Sequence, residues 1–183
     1  VTLVLRGLPA GNHPFLALVP GAAASPALAR VCPSQDGRGP LLARSVVQLR
    51  GGGGQYCFVD VETPRIVLSE WYYAQGNEQD LYLDLLHELT HLRQLEEGWD
   101  LWDQRFPYVE RPTEVEGFAV AVEEGRRLGM TPEEIIRHLS NPWSSAADVE
   151  LLLGNVDRFL TIGILPNYEA AKVPAPRVII RPW

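Results

Sequence analysis

The chain has 183 residues, 46% of them hydrophobic and 21% charged, with a formal net charge of −7. That length suits one domain with its own core, and the composition excludes disordered and fibrous chains. The acidic balance speaks against nucleic acid and anionic membranes as partners, which both reward a basic face.

Residues 1–62 read as β-rich. The chain begins at Val1, in keeping with a removed leader or tag; no run of about 18 apolar residues predicts a membrane span, and a cytoplasmic location is the default expectation. Residues 1–5, 15–19 and 45–49 are short apolar runs bounded by Gly, Pro and Asn, and predict strands. Residues 21–44, rich in Ala, Gly, Pro and Ser, read as loop with one short helix. Gly51 to Gly54 lacks the Lys-Ser/Thr ending and the helix of a phosphate-binding loop, and reads as a flexible turn leading into a strand over residues 55–61. The only cysteines, Cys32 and Cys57, are too few and too far apart for a disulfide scaffold or a Cys-rich zinc cluster; they read as small buried apolar residues.

Residues 64–70 predict another strand. Asn77 then supplies an N-cap, acidic residues at 78, 80 and 84 suit the positive end of a helix, and Gly98 is a natural stop. Leu81, Leu85, Leu89, Leu92 and Leu95 form its buried stripe, with His87 and His91 on a neighbouring face. Residues 99–111 are a loop whose aromatics, Trp99, Trp102, Phe106 and Tyr108, pin it to the body. A second helix runs from Pro112-Thr113 to Leu128, closed by Gly129, and a third opens with Thr131 as cap and Pro132 in its first turn. Asn141-Pro142-Trp143 breaks it, and Ser145 caps a fourth that reaches Leu160. With no internal repeat and no linker, residues 1–183 read as a single domain: a β-rich part at 1–62, a core at 63–165 and a Pro-rich tail at 166–183 with one late strand at 178–180. The fold class expected is α+β, with a small N-terminal mixed or antiparallel sheet, then the histidine helix, then a helical C-terminal half.

The chemistry concentrates in His87-Glu88-Leu89-Thr90-His91. Two histidines four apart on a helix lie one above the other on one face, so their imidazole nitrogens can chelate one metal ion. Glu88 emerges about 100° round the helix from His87, within reach of a water at that metal. This is the HExxH arrangement of zinc metallopeptidases. His87 or His91 alone would read as a partly exposed helical residue; the spacing with a carboxylate between argues for one Zn2+ per chain. A catalytic zinc site takes three protein ligands, and the segment from Arg111 to Ala121 offers two acids. Glu114 and Glu116 point about 200° apart on a helix, so both do not serve one ion. Glu114 shares its face with Gly117 and Ala121, which lets the helices approach closely, while Glu116 fits a capping box with Thr113. Glu114 is therefore favoured as third ligand, with Glu116 as the alternative.

With Glu114-Val115-Glu116-Gly117-Phe118-Ala119 following the histidine pair, residues 64–128 resemble the Glu-zincins, metallopeptidases whose third ligand is a glutamate. The segment is similar to the ExEA or ExxA signature of small bacterial regulatory zincins and of the membrane-embedded prenyl-protein proteases, where the first Glu is the ligand, which implies Glu114. Glu116-Gly117-Phe118-Ala119 also resembles the NEGFA segment of the large aminopeptidases, which would imply Glu116; Val115 stands where that segment has Asn. The resemblance implies a zincin-like fold and a zinc-dependent endopeptidase with Glu88 as general base, a peptide or protein segment as substrate, and the strand at 65–70 as the edge on which it lies. Tyr108, Arg111 and His138 are candidate donors to a developing oxyanion, and Glu116, Glu123 and Asp84 are candidates to orient the histidines. The competing expectation is a regulatory or protein-binding module of the same fold with a structural or latent zinc site. Nothing in the sequence specifies an oligomeric state.

Overall fold

The computed structural model describes residues 2–54 and 56–171. A four-stranded mixed sheet is followed by a mostly helical remainder, an α+β architecture. The strands are β1 Gly11–Pro14, β2 Val46–Arg50, β3 Cys57–Asp60 and β4 Arg65–Ser69, in the order β1-β2-β4-β3. β2 and β4 run parallel, and the outer pairs β1/β2 and β3/β4 are antiparallel. Ile66 to Ser69 of β4 are all buried, as a continuous apolar run demands of an interior strand. The edge beside the helical half is therefore β3, and the expectation that residues 65–70 form the edge is corrected. Because β4 inserts between β2 and β3, the glycine run at 51–54 closes no hairpin.

The helices are α1 Phe15–Leu18, α2 Ala27–Val31, α3 Gln35–Arg44, α4 Glu70–Gln75, α5 Glu78–Glu96, α6 Pro112–Arg127, α7 Pro132–Leu139, α8 Ala146–Ile162 and α9 Tyr168–Ala171. The first 62 residues hold fewer strands than their composition predicts. Residues 2–5 are not a strand: the Leu3 and Val4 amides donate to the Glu78 carboxylate at 2.7 and 3.1 Å instead of to a ladder. The apolar run from Phe15 folds as a helical turn closed by Val19 N–H to Phe15 C=O, since a short apolar run suits either state and its surroundings decide. β1 has no β-branched residue and exists through its pairing with β2. Residues 21–44 hold α2, α3 and part of a 3₁₀ turn at Pro20–Ala24, more helix than expected.

Helix α5 runs through the centre, packed on β3 and β4 and against α6. It starts where Asn77 Oδ1 accepts the amides of Gln79 and Asp80 at 2.9 and 3.1 Å, and the chain turns away at Gly98 with φ +83°, a left-handed conformation that glycine adopts without strain. Leu81, Leu83, Leu85, Leu86 and Leu89 are fully buried, so α5 is covered on nearly every side, where the leucine stripe alone predicted an amphipathic helix. Leu95 is only partly buried. α7 and α8 begin with capping boxes, Thr131 with Glu134 and Ser145 with Asp148. The box expected at Thr113 and Glu116 does not form. Arg111 occupies the N-cap of α6 without a side-chain bond, and Glu116 turns to Gln94 and Arg93.

Both cysteines are free. No helix among the described residues is long and apolar enough to cross a membrane. The strand expected at 178–180 lies outside the described residues, as does most of the tail.

Candidate metal centre

Three side chains from two helices converge at the seam of α5 and α6. His87 Nε2 and His91 Nε2 are 2.8 Å apart, and Glu114 Oε2 lies 3.4 Å from the first and 3.6 Å from the second. A tetrahedral ion with bonds of 2.0–2.1 Å needs ligand atoms about 3.3 Å apart, which this triangle brackets. Two imidazole nitrogens as close as these repel as lone pairs unless a cation or a proton sits against both. All three residues are buried to 6% exposure. The approach depends on Gly117 of α6, one turn after Glu114: a Cβ there would meet His87 Nδ1 and Cε1 at 2.9 Å.

The charges of the three groups are strongly coupled. Burial alone would raise the Glu114 carboxyl, but the two histidines overcome it and hold the group well below the usual carboxylate range. For His91, burial opposes the charged form, yet Glu114, Glu88 and Gln94 raise it to about 9. His87 is lowered by burial and by His91, so one proton serves the pair. Glu88 is pushed up to about 8, chiefly by burial, with Glu114 and Asp84 adding to the shift. Two nitrogens and one carboxylate oxygen in an enclosed site suit zinc, so the residues fit the ion that the motif implies.

Glu88 brings a carboxylate oxygen within 4.8 Å of both histidines and shares the lining of one cleft with Val59 of β3. Around it opens a cleft of about 630 Å³, floored by α5, bounded by β3 and by α7, and flanked by the exposed indoles of Trp102 and Trp143. Trp102 therefore lines the cleft, whereas Trp99 packs on Tyr168 as a loop anchor.

The three candidate oxyanion donors separate. Tyr108 lines the cleft together with Glu114 and packs edge-on against Phe118. Arg111 is directed to the loop, with Nε on the Asp103 carbonyl at 3.2 Å and Nη1 3.8 Å from Glu114 Oε1; it braces the glutamate and does not line the cleft. His138 lines the cleft between Asp80 and Asp84, 3.3 Å and 3.7 Å away. Among the candidates to orient the histidines, Asp84 accepts from the Tyr72 hydroxyl at 2.5 Å and Glu123 pairs with Arg30 on the far side of α6. Glu116 does not join the triangle; it accepts from Gln94 Nε2 at 2.7 Å. Gln94, absent from the sequence reading, is the residue that touches a histidine: its Oε1 is 2.7 Å from His91 Nδ1. Its position three after His91 on the same helix was the available signal. No protein-family model, curated protein or solved structure matches this chain.

Proposed function

We propose that the chain is a zinc-dependent endopeptidase of zincin-like fold, with His87, His91 and Glu114 holding the ion and Glu88 acting as general base. The observation that carries this reading is the triangle of His87 Nε2, His91 Nε2 and Glu114 Oε2, with sides of 2.8, 3.4 and 3.6 Å, on the wall of a cleft that also holds Glu88. Zinc bound there supplies Lewis acidity, polarising a carbonyl and bringing the pKa of water towards ~7. Glu88 would take a proton from the attacking water as its oxygen adds to the peptide carbonyl carbon, and would deliver it to the amine nitrogen as the C–N bond breaks. Its carboxyl, at about 8 by burial without a cation, is returned towards the ionised form by positive charge at the histidines.

Among the described residues β3 is an edge strand, and that edge fits an extended peptide, which would add as a further strand and receive main-chain hydrogen bonds. Val59 of β3 and Glu88 line the same cleft, so a chain laid along this strand passes the base. Tyr108 is the better placed oxyanion donor, because it lines the cleft with Glu88 and Glu114 while Arg111 is turned to the Asp103 carbonyl. An intact general base in the cleft has no use in a purely structural zinc site, which sets the binding-module reading behind. The test is incubation of zinc-loaded wild type and Glu88→Gln with unstructured protein substrates. Wild type should cleave, chelation should stop it, and Glu88→Gln should be inactive; cleavage that persists in Glu88→Gln rejects this chemistry.

A further inference from the structure

The hydrogen bonds of Gln94 go beyond the ligand triangle. Its Nε2 faces two acceptors on α6, the Thr113 carbonyl at 3.1 Å and Glu116 Oε2 at 2.7 Å. The opposite amide orientation would set Oε1 against a carbonyl and a carboxylate, both of which only accept. The NH2 group is thereby committed to α6, and Oε1 is left to face His91 Nδ1 at 2.7 Å. An amide oxygen only accepts, so Nδ1 of His91 carries a proton, which leaves Nε2 as the nitrogen able to turn a lone pair to an ion. Glu116 is itself anchored by an ion pair with Arg93 Nη2 at 2.5 Å. His87 has no such device: its Nδ1 is buried without a hydrogen-bond partner, and its ring is positioned by Phe118, 4.4 Å away between centroids, and by the gap at Gly117.

We infer that Gln94 is a positioning residue for the metal centre, locking His91 in the Nδ1–H tautomer through a relay that runs Arg93–Glu116–Gln94–His91. This rests on the zinc reading above and gives Glu116, which does not face the ion, its part in the same site. The relay also couples the two helices: the acceptors that fix Gln94 sit on the helix that brings Glu114, so the seating of α6 on α5 sets the tautomer and the third ligand together.

Zinc affinity by chelator competition, alongside thermal melts, separates positioning from packing. Gln94→Leu fills the space without hydrogen bonds and should weaken zinc by about 10–100-fold, as loss of a ligand's orienting partner does. In the double variant Gln94→Glu, Glu116→Gln the donor and acceptor exchange places: position 94 still accepts from His91 Nδ1–H, and position 116 supplies the amide donor. Its zinc affinity should stay within ~3-fold of wild type even where melting shifts, since the orienting bond is retained. Imidazole ¹⁵N spectra of the zinc-loaded proteins add an independent readout, a slowly exchanging His91 Nδ1–H in wild type and the double variant that is lost in Gln94→Leu. Equal zinc affinity in Gln94→Leu and wild type overturns the inference, as does a double variant that loses zinc as fully as Gln94→Leu. Wild type that cleaves peptides and binds zinc while showing either result leaves the peptidase reading standing; wild type that binds no zinc ends both.

Discussion

Gly117→Ala probes how the metal centre is built. The added Cβ would lie 2.9 Å from His87 Nδ1 and Cε1 and 3.1 Å from Nε2. Carbon atoms in contact sit about 3.5–4.0 Å apart, so the ring or the helix must yield by about 0.6 Å. The ring has little room, because Phe118 and His91 pack against it at 4.4 and 4.5 Å between centroids. Overpacking of this kind costs about 1–3 kcal/mol, and the gain in helix propensity from Gly to Ala offsets about 1 kcal/mol, leaving a net loss of about 0–2 kcal/mol. Metal ligand distances tolerate only about 0.2 Å, so zinc affinity should fall by ~10-fold or more. Gly154 of α8 is the control: a Cβ there meets nothing within 4 Å, and Gly154→Ala should stabilise by about 0.5–1 kcal/mol with zinc affinity unchanged. Thermal melts and chelator competition on both variants give the comparison. If Gly117→Ala stabilises the protein as Gly154→Ala does and keeps its zinc, α6 is not seated on His87 as described.

Stability of the metal-free protein should fall as pH rises. Glu88, held up to about 8 against an ordinary 4.5, keeps a proton in the folded chain that the unfolded chain has released, so stability declines from 4.5 upward to 8. His91, held up to about 9 against 6.5, contributes stability that is full below 6.5 and lost as pH rises through 9. Both act in the same direction, and His87, lowered from 6.5, opposes them only below that value; melting of chelated protein should therefore drop from about pH 6.5 to pH 9 while the gain on adding zinc grows, and a chelated protein that becomes more stable over this range contradicts the assignment. Tyr108→Phe should retain zinc and lose roughly 10²-fold or more in turnover if its hydroxyl meets the oxyanion, which steady-state kinetics on a cleaved peptide will show; unchanged turnover removes Tyr108 from that role.

Local chemistry was legible in the sequence where a residue acts within its own helix. Asn77, Thr131 and Ser145 cap the helices they announce, and the four-residue spacing of His87 and His91 did set two nitrogens together. The smooth face at Glu114 and Gly117 also foretold a close approach of α6. What escaped was decided by partners distant in the chain. Leu3 and Val4 give their amides to Glu78, 75 and 74 residues away, which no local pattern reveals, and a strand was expected there. β1 and the edge position of β3 follow from pairing order, which propensity does not carry. Thr113 and Glu116 had the spacing of a capping box, but the Glu116 carboxylate accepts from Gln94 and pairs in charge with Arg93 on a neighbouring helix, and that non-local pairing won over the local one.

The ligand set is open to one direct measurement: the metal content of purified wild type, Glu114→Ala and Glu116→Ala. Wild type should carry about one zinc per chain, Glu114→Ala should lose it, and Glu116→Ala should keep it with an affinity lowered through Gln94. Zinc retained in Glu114→Ala and lost in Glu116→Ala would contradict the triangle of His87, His91 and Glu114.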